Sequence, residues 1–185
     1  MAYKSVVLED SVTINRIISV HYFQYMSDFS FPGESHDFWE LVCVDRGEID
    51  ALAGDRRLTL KKGNILFHKP NEFHNVLTNG KVSPSLVVIG FECHSPAIKS
   101  FEDQLMSVQD TEKELMAQII VEARNTFSGR LDDPYQEELI FNSEPLAFGS
   151  AQLSGTADDS SIQKIFFLLP ASTFFPLPGR GQQRE

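Results

Sequence analysis

Residues 36–75 read HDFWELVCVDRGEIDALAGDRRLTLKKGNILFHKPNEFHN. Short runs of aliphatic, β-branched and aromatic residues are cut at intervals by turn formers. The run over 36–45 ends at Arg46 and Gly47. Residues 48–53 and 57–60 flank Gly54 and Asp55, a hairpin signal in which glycine supplies the unusual backbone angle of a tight turn. Lys62 and Gly63 punctuate again, and residues 64–69 make a further strand before Pro70 and Asn71. The stretch is a series of short strands separated by turns.

Parity along 36–45 carries the first functional reading. Side chains two apart share a face of a strand, so His36, Phe38 and Glu40 line up, with Trp39, Leu41 and Cys43 opposite. Both faces are largely apolar, so the strand is expected to be buried on each side, with Trp39 packing outward against helices. A carboxylate at Glu40 on a buried face needs a partner, because an unpaired buried charge is costly. His36 and His74 are the candidates.

Working outward, residues 14–26, 74–78 and 85–93 complete seven or eight strands, which indicates an all-β sandwich or barrel. The period then changes. Ser95 and Pro96 read as cap and first position of a helix over about 96–106 that carries Ile98, Phe101 and Leu105. Thr111 and Glu114 read as a capping box opening a helix over 111–128, with Leu115, Met116, Ile119, Ile120, Ala123 and Phe127 on one face. Asp133 and Pro134 suggest a third short helix through Phe141. The expected organisation is a barrel over 8–93, a helical extension over 94–153, and an atypical tail over 154–185, disordered or read in a shifted frame, whose prolines and unpatterned apolar run suit no amphipathic helix.

The chain has 185 residues, enough for one domain with a sizeable core, and a formal charge of −10. That balance repels nucleic-acid backbones, so no DNA binding by this chain alone is expected. Cys43 and Cys93 lie in apolar runs and read as buried free thiols of a reducing compartment. No run reaches the roughly 18 apolar residues of a spanning helix, and no leader is evident. A cytoplasmic protein without membrane partners is the expectation.

Glu34, His36, Glu40 and His74 read as hydrogen-bonded polar residues of a binding cavity or, alternatively, as a carboxylate and histidine set for a divalent metal. No cofactor is expected on the first reading. Phe38 and Phe73, next to the polar set, are the best candidates for an apolar cavity wall. His21 reads as structural, and His68 and His94 carry little information. No phosphate loop, nucleophile elbow or Cys-x-x-Cys pair is present, which disfavours the usual hydrolases.

With these residues in place, the stretch resembles the cupin-fold effector-binding domain of AraC-type transcriptional regulators. The resemblance rests on His36, on Trp39, Glu40 and Leu41, on Gly47 and Glu48, on Gly63 and Asn64, and on the spacing from Pro70 to His74, and it extends over roughly 8–153. The general cupin motifs align with His36, Glu40 and Gly47, then with Gly63 and His74. Glu34 stands at a histidine position, and Lys69 and Asn71 replace a proline and a glycine. The resemblance implies a cupin-type double-stranded β-helix (a jelly-roll barrel) followed by a few helices. It also implies a small-molecule-sensing regulatory domain, here without the helix-turn-helix part. Expected ligand-binding residues are His36, Phe38, Glu40, Phe73 and His74, and a homodimer through the helical part is a candidate partner. The chain is expected not to be an enzyme; the alternative is a metal-dependent cupin isomerase or dioxygenase.

Overall fold

The computed structural model describes residues 12–142 apart from Met26, Lys81 and Glu137. The tail over 154–185 and the end of the helical extension lie outside the described residues.

In chain order the elements are β1 (Ile14–Gln24), β2 (Trp39–Arg46), β3 (Glu48–Ala53), β4 (Arg56–Lys61), β5 (Asn64–His68), β6 (His74–Leu77) and β7 (Ser85–Cys93). A 3-10 turn, Pro96–Phe101, leads to β8 (Leu105–Ser107), α1 (Asp110–Thr126), β9 (Phe127–Ser128) and β10 (Ile140–Phe141). Strands pair antiparallel in a five-stranded sheet ordered β1-β7-β2-β5-β8, a three-stranded sheet β4-β3-β6 and the small pair β10-β9. The hairpin at Gly54 and Asp55 forms as expected: Ala53 pairs with Arg56, and Gly54 takes a φ of 57°.

The large sheet is buried on both faces, as its two-sided apolar pattern requires. Val42, Val44, Leu66 and Leu86 meet Ile49 and Leu60 of the small sheet. On the other face Trp39, Leu41, Ile65 and Phe91 pack with Phe101 and with α1 through Met116 and Ile119. Each fully buried Leu or Ile there contributes about 1.5–3 kcal/mol of transfer free energy. Trp39 therefore packs outward toward the helix, as parity predicts.

Several local expectations are corrected. The run over 36–45 becomes strand only at Trp39; before it the His36 carbonyl accepts from Asn71 N (2.7 Å) and the His36 ring contacts the Phe38 carbonyl. The helix expected over 96–106 is a short 3-10 turn, and Leu105 instead pairs with Leu66. Asp103, at φ 61°, turns the chain there, and the open hydrogen-bonding edge of β5 captures Leu105–Ser107 as β8. Ser95 and Pro96 do stand at the cap and first position of that turn, but the Ser95 side chain makes no capping bond; its hydroxyl accepts from Thr13 N at 2.8 Å.

The capping box is Gln109 with Glu112, not Thr111 with Glu114: Gln109 N donates to Glu112 Oε2 at 2.7 Å. The bond from Val108 N to the Gly63 carbonyl (2.8 Å) holds the chain extended up to that point, so α1 opens two residues earlier than Thr111 would set it. Among the described residues no third helix forms: Asp133 Oδ1 accepts from Tyr135 N at 2.9 Å, closing a side-chain turn, and Ile140 and Phe141 join β9. Finally, Leu115, Ile119 and Ala123 are buried against the chain's own sheet, so this stripe offers no free face for a homodimer.

Candidate functional site

Glu34, His36, Glu40 and His74 come together at one end of the space between the sheets, and one ligand atom from each lies within 4.8 Å of all the others. Glu40 is presented by β2 and His74 by β6. Glu34 is placed by a pair of backbone hydrogen bonds, Glu34 N to the His74 carbonyl and His74 N to the Glu34 carbonyl, both 2.9 Å. His36 Nε2 lies 3.5 Å from Glu40 Oε2, and His74 Nε2 lies 3.5 Å from Glu40 Oε1 and 4.0 Å from Glu34 Oε1.

The ring nitrogens determine what this cluster can do. His36 Nδ1 faces the Phe38 carbonyl at 3.0 Å, and His74 Nδ1 faces the Glu72 carbonyl at 2.9 Å. A carbonyl only accepts, so each Nδ1 carries the proton and donates, and in the neutral ring Nε2 keeps its lone pair. Both Nε2 atoms are buried without a hydrogen-bond partner. Two lone pairs turned toward carboxylate oxygens repel unless a cation, proton or metal, lies among them. Donors 2.0–2.2 Å from a zinc ion stand about 3.4 Å apart; the two histidine–Glu40 separations of 3.5 Å match that, while Glu34 at 4.0 Å from His74 stands wider. The donor set thus fits a divalent metal.

The electrostatics agree. Burial pushes the Glu40 carboxyl up, but His36, His74 and His68 outweigh it and hold it below the usual carboxylate range. Burial lowers His74, with Glu40 only partly offsetting, whereas His36 ends above its ordinary value because Glu40 outweighs burial. Glu34 is raised by burial and by Glu40. An ionised Glu40 beside the neutral His74 imidazole is a metal-ready combination, and His36 binds a metal by giving up the proton that Glu40 favours on it.

The cluster opens into a cavity of about 300 Å³ between the sheets. His36, Phe38, Glu40 and His74 all line it. Phe38 lies flat on the His36 ring, 3.7 Å between centroids, and Gly90 makes room for it: a Cβ there would meet Phe38 Cε2 at 2.9 Å. Phe73 does not line the cavity. It is 46% exposed and packs on Gly33, where a Cβ would meet its Cζ at 2.5 Å.

Several cavity residues escaped the sequence reading. His21, Phe23 and Tyr25 alternate along and just beyond β1 and line the wall, in the same period-two pattern that singled out Glu40. Phe31 and Gln136 reach the cavity from irregular segments that carry no periodicity. His68 is also informative: it is fully buried, stacks on His74 at 4.4 Å, and its Nδ1 lies 3.3 Å from Glu72 Oε2. Glu72 thus steadies two histidines, one with its side chain and one with its carbonyl.

Residues 17–92 match the AraC-like ligand binding domain. The antiparallel architecture over these residues is cupin-like, as expected. Among solved structures the chain is similar to the cupin domain of a Schizosaccharomyces pombe protein, with 14% identity and a TM-score of 0.36, over 40% of this chain and 50% of that one. It is also similar to a cupin superfamily protein from Desulfitobacterium hafniense, with 16% identity and a TM-score of 0.39, over 50% and 83% of the two chains. A third is a DMSP lyase from Ruegeria pomeroyi, with 22% identity and a TM-score of 0.34, over 40% and 36%. The chain thus covers half of the first and about a third of the third of these chains. No curated protein matches the chain.

The expectation of no enzymatic role is corrected: Glu34, His36, Glu40 and His74 have the make-up and closeness of a centre able to hold a metal ion, which leaves room for metal-dependent chemistry. Among the described residues no helix is long and apolar enough to cross a membrane.

Proposed function

We propose that the AraC-like domain is a small-molecule sensor in a transcriptional regulator, and that its effector docks against a divalent metal held by Glu34, His36, Glu40 and His74. The observation that carries this reading is the shared orientation of His36 and His74, whose Nδ1 atoms donate to carbonyls while Nε2 faces Glu40. His36 and His74 would hold the metal through Nε2 with the charge of Glu40 between them, and Phe38 would wall the apolar part of the effector; the chemistry a bound metal would supply is Lewis-acid polarisation of an effector oxygen. The two buried free thiols, Cys43 and Cys93, suit a cytoplasmic setting. The net charge of −10 argues against DNA binding by this chain itself.

A second reading, metal-dependent chemistry on the bound molecule, is favoured by Tyr25. Burial, Glu40 and Glu34 push its phenol up, so it stays neutral beside the cluster and available as a proton donor.

Metal analysis of protein purified without chelator tests both readings at their root. The expected result is one divalent ion per chain, lost in His74→Ala, with a thermal midpoint that falls on chelation. A metal-free protein whose midpoint is indifferent to zinc, manganese, iron or nickel overturns the metal-centred site. With metal present, a thermal-shift screen against sugars and aromatic acids, followed by product analysis of the hits, separates a sensor from an enzyme.

A further inference from the structure

The outer face of the large sheet carries a second cavity, about 310 Å³, between the sheet and α1. Tyr22, Cys43 and Val87 line it, while their chain neighbours His21, Val42 and Val88 line the inner one. Alternation of side chains on three adjacent strands therefore sets two cavities back to back across one sheet.

Their charges are opposite. The inner cavity is lined by Glu34 and Glu40 and, among the described residues, by no lysine or arginine. The outer one has an apolar floor of Cys43, Val87, Met116 and Ile120, with Lys62, Lys113 and Arg124 around it and Asp45 as its one carboxylate among the described residues. Asp45 already accepts the Tyr22 hydroxyl at 2.7 Å. Lys113 reaches Asp110 at 3.0 Å but remains exposed. In a chain of charge −10, three cations facing one committed carboxylate are a local reversal of sign.

The charges are also arranged along an axis. Lys113 lies over Gly63, next to Lys62, at one end; Arg124 lies over the Tyr22 ring, 5.9 Å from its centroid, at the other. Along α1 the two ends are about 16 Å apart at 1.5 Å per residue.

We propose that this outer cavity binds a small amphipathic anion, a carboxylate with an extended apolar body. The head lies between Lys62 and Lys113, and the body runs along Met116 and Ile120 toward Tyr22. Apolar surface supplies affinity and the paired ammonium groups select the charged head.

Calorimetric titration of the full chain with decanoate, below its micellar concentration, and with decanol as uncharged control tests the site. Ala117 lines the cavity and is exposed, as are Lys62 and Lys113, so the variants leave the core untouched. Decanoate is expected to bind once per chain, at least tenfold more weakly in Ala117→Trp. It should also weaken about tenfold in the double variant Lys62→Gln, Lys113→Gln, with decanol unchanged by that pair. His74→Ala should leave decanoate binding intact, which keeps this site separate from the inner one. No binding to the wild type, as when residues 143–185 or a second copy fill the cavity, overturns the proposal. Binding indifferent to Ala117→Trp, or an equal loss for decanol in the lysine variant, overturns it as well.

Discussion

His36 and His74 share one carboxylate, each holding its Nε2 3.5 Å from a different oxygen of Glu40. Glu40 is nearly buried, whereas Glu34 is 52% exposed at the mouth and approaches His74 only to 4.0 Å. The two glutamates are therefore not equivalent. Glu40→Gln should weaken zinc affinity by a hundredfold or more, and Glu34→Gln by about tenfold, a range common when ligands or their supports are altered. Competition titration against a zinc indicator reads both. Equal losses, or a larger one for Glu34→Gln, would contradict the central role of Glu40.

In chelator, acidification should destabilise the domain. Burial holds His21 and His74 below their ordinary value, so the unfolded chain takes up their protons first as pH falls through about 6.5. Glu40 and Glu72 are held below the carboxylate range by nearby histidines, against burial, so their stabilisation is present above about pH 4.5 and is lost as pH falls further toward their folded values. His36 and Glu34 act in the opposite sense: raised in the fold, His36 contributes fully below about pH 6.5 and Glu34 below about pH 4.5, and each share is lost as pH rises through the folded value. With one histidine offsetting another, the net slope near neutrality is at most about 1.4 kcal/mol per pH unit. Urea midpoints at pH 8, 6.5, 5 and 4 should fall in that order. A midpoint that rises toward pH 4 would refute the assignment.

Glu112→Ala should cost about 1 kcal/mol, since Glu112 accepts the otherwise unsatisfied Gln109 N–H at the start of α1. Glu114→Ala, on the exposed side of the same helix, should stay within about 0.5 kcal/mol. Denaturant melts of the two variants compare the cap found in the fold with the one expected from sequence.

Gly90→Ala places a Cβ 2.7 Å from Ser19 Oγ and 2.9 Å from Phe38 Cε2. Overpacking of this kind costs about 1–3 kcal/mol. Because Phe38 is stacked on His36, its displacement should also lower zinc affinity. Loss of stability with unchanged metal affinity would show that Phe38 does not support the His36 ring.

Cys43 should be inert in the native protein. Burial pushes its thiol up to about 12, leaving almost no thiolate at neutral pH. Cys93 is likewise buried and free. A thiol reagent is expected to label both only after unfolding in urea, with labelling kinetics that track loss of structure. Rapid native labelling at Cys43 would show that a reagent reaches the thiol through the outer cavity or on opening of α1, against the burial found here.

Turn formers at Gly47, Gly54 and Gly63, and the period-two pattern between them, determine by themselves where strands begin and end. They also determine that the large sheet is buried on both faces, that Trp39 looks toward α1, and that Phe38 and Glu40 look the other way. These are relations between neighbours in the chain, set by covalent geometry and by the removal of apolar surface from water. Tertiary structure decided the rest. Glu34 becomes a partner of His74 only through a backbone bridge between segments distant in the chain, and Phe73 leaves the cavity because Gly33 offers it a seat outside. Residues 105–107 become strand because the edge of β5 had hydrogen bonds to satisfy. Such outcomes depend on which backbone groups and surfaces remain unpartnered once the sheets have formed, and that is a property of the assembled fold rather than of any local pattern.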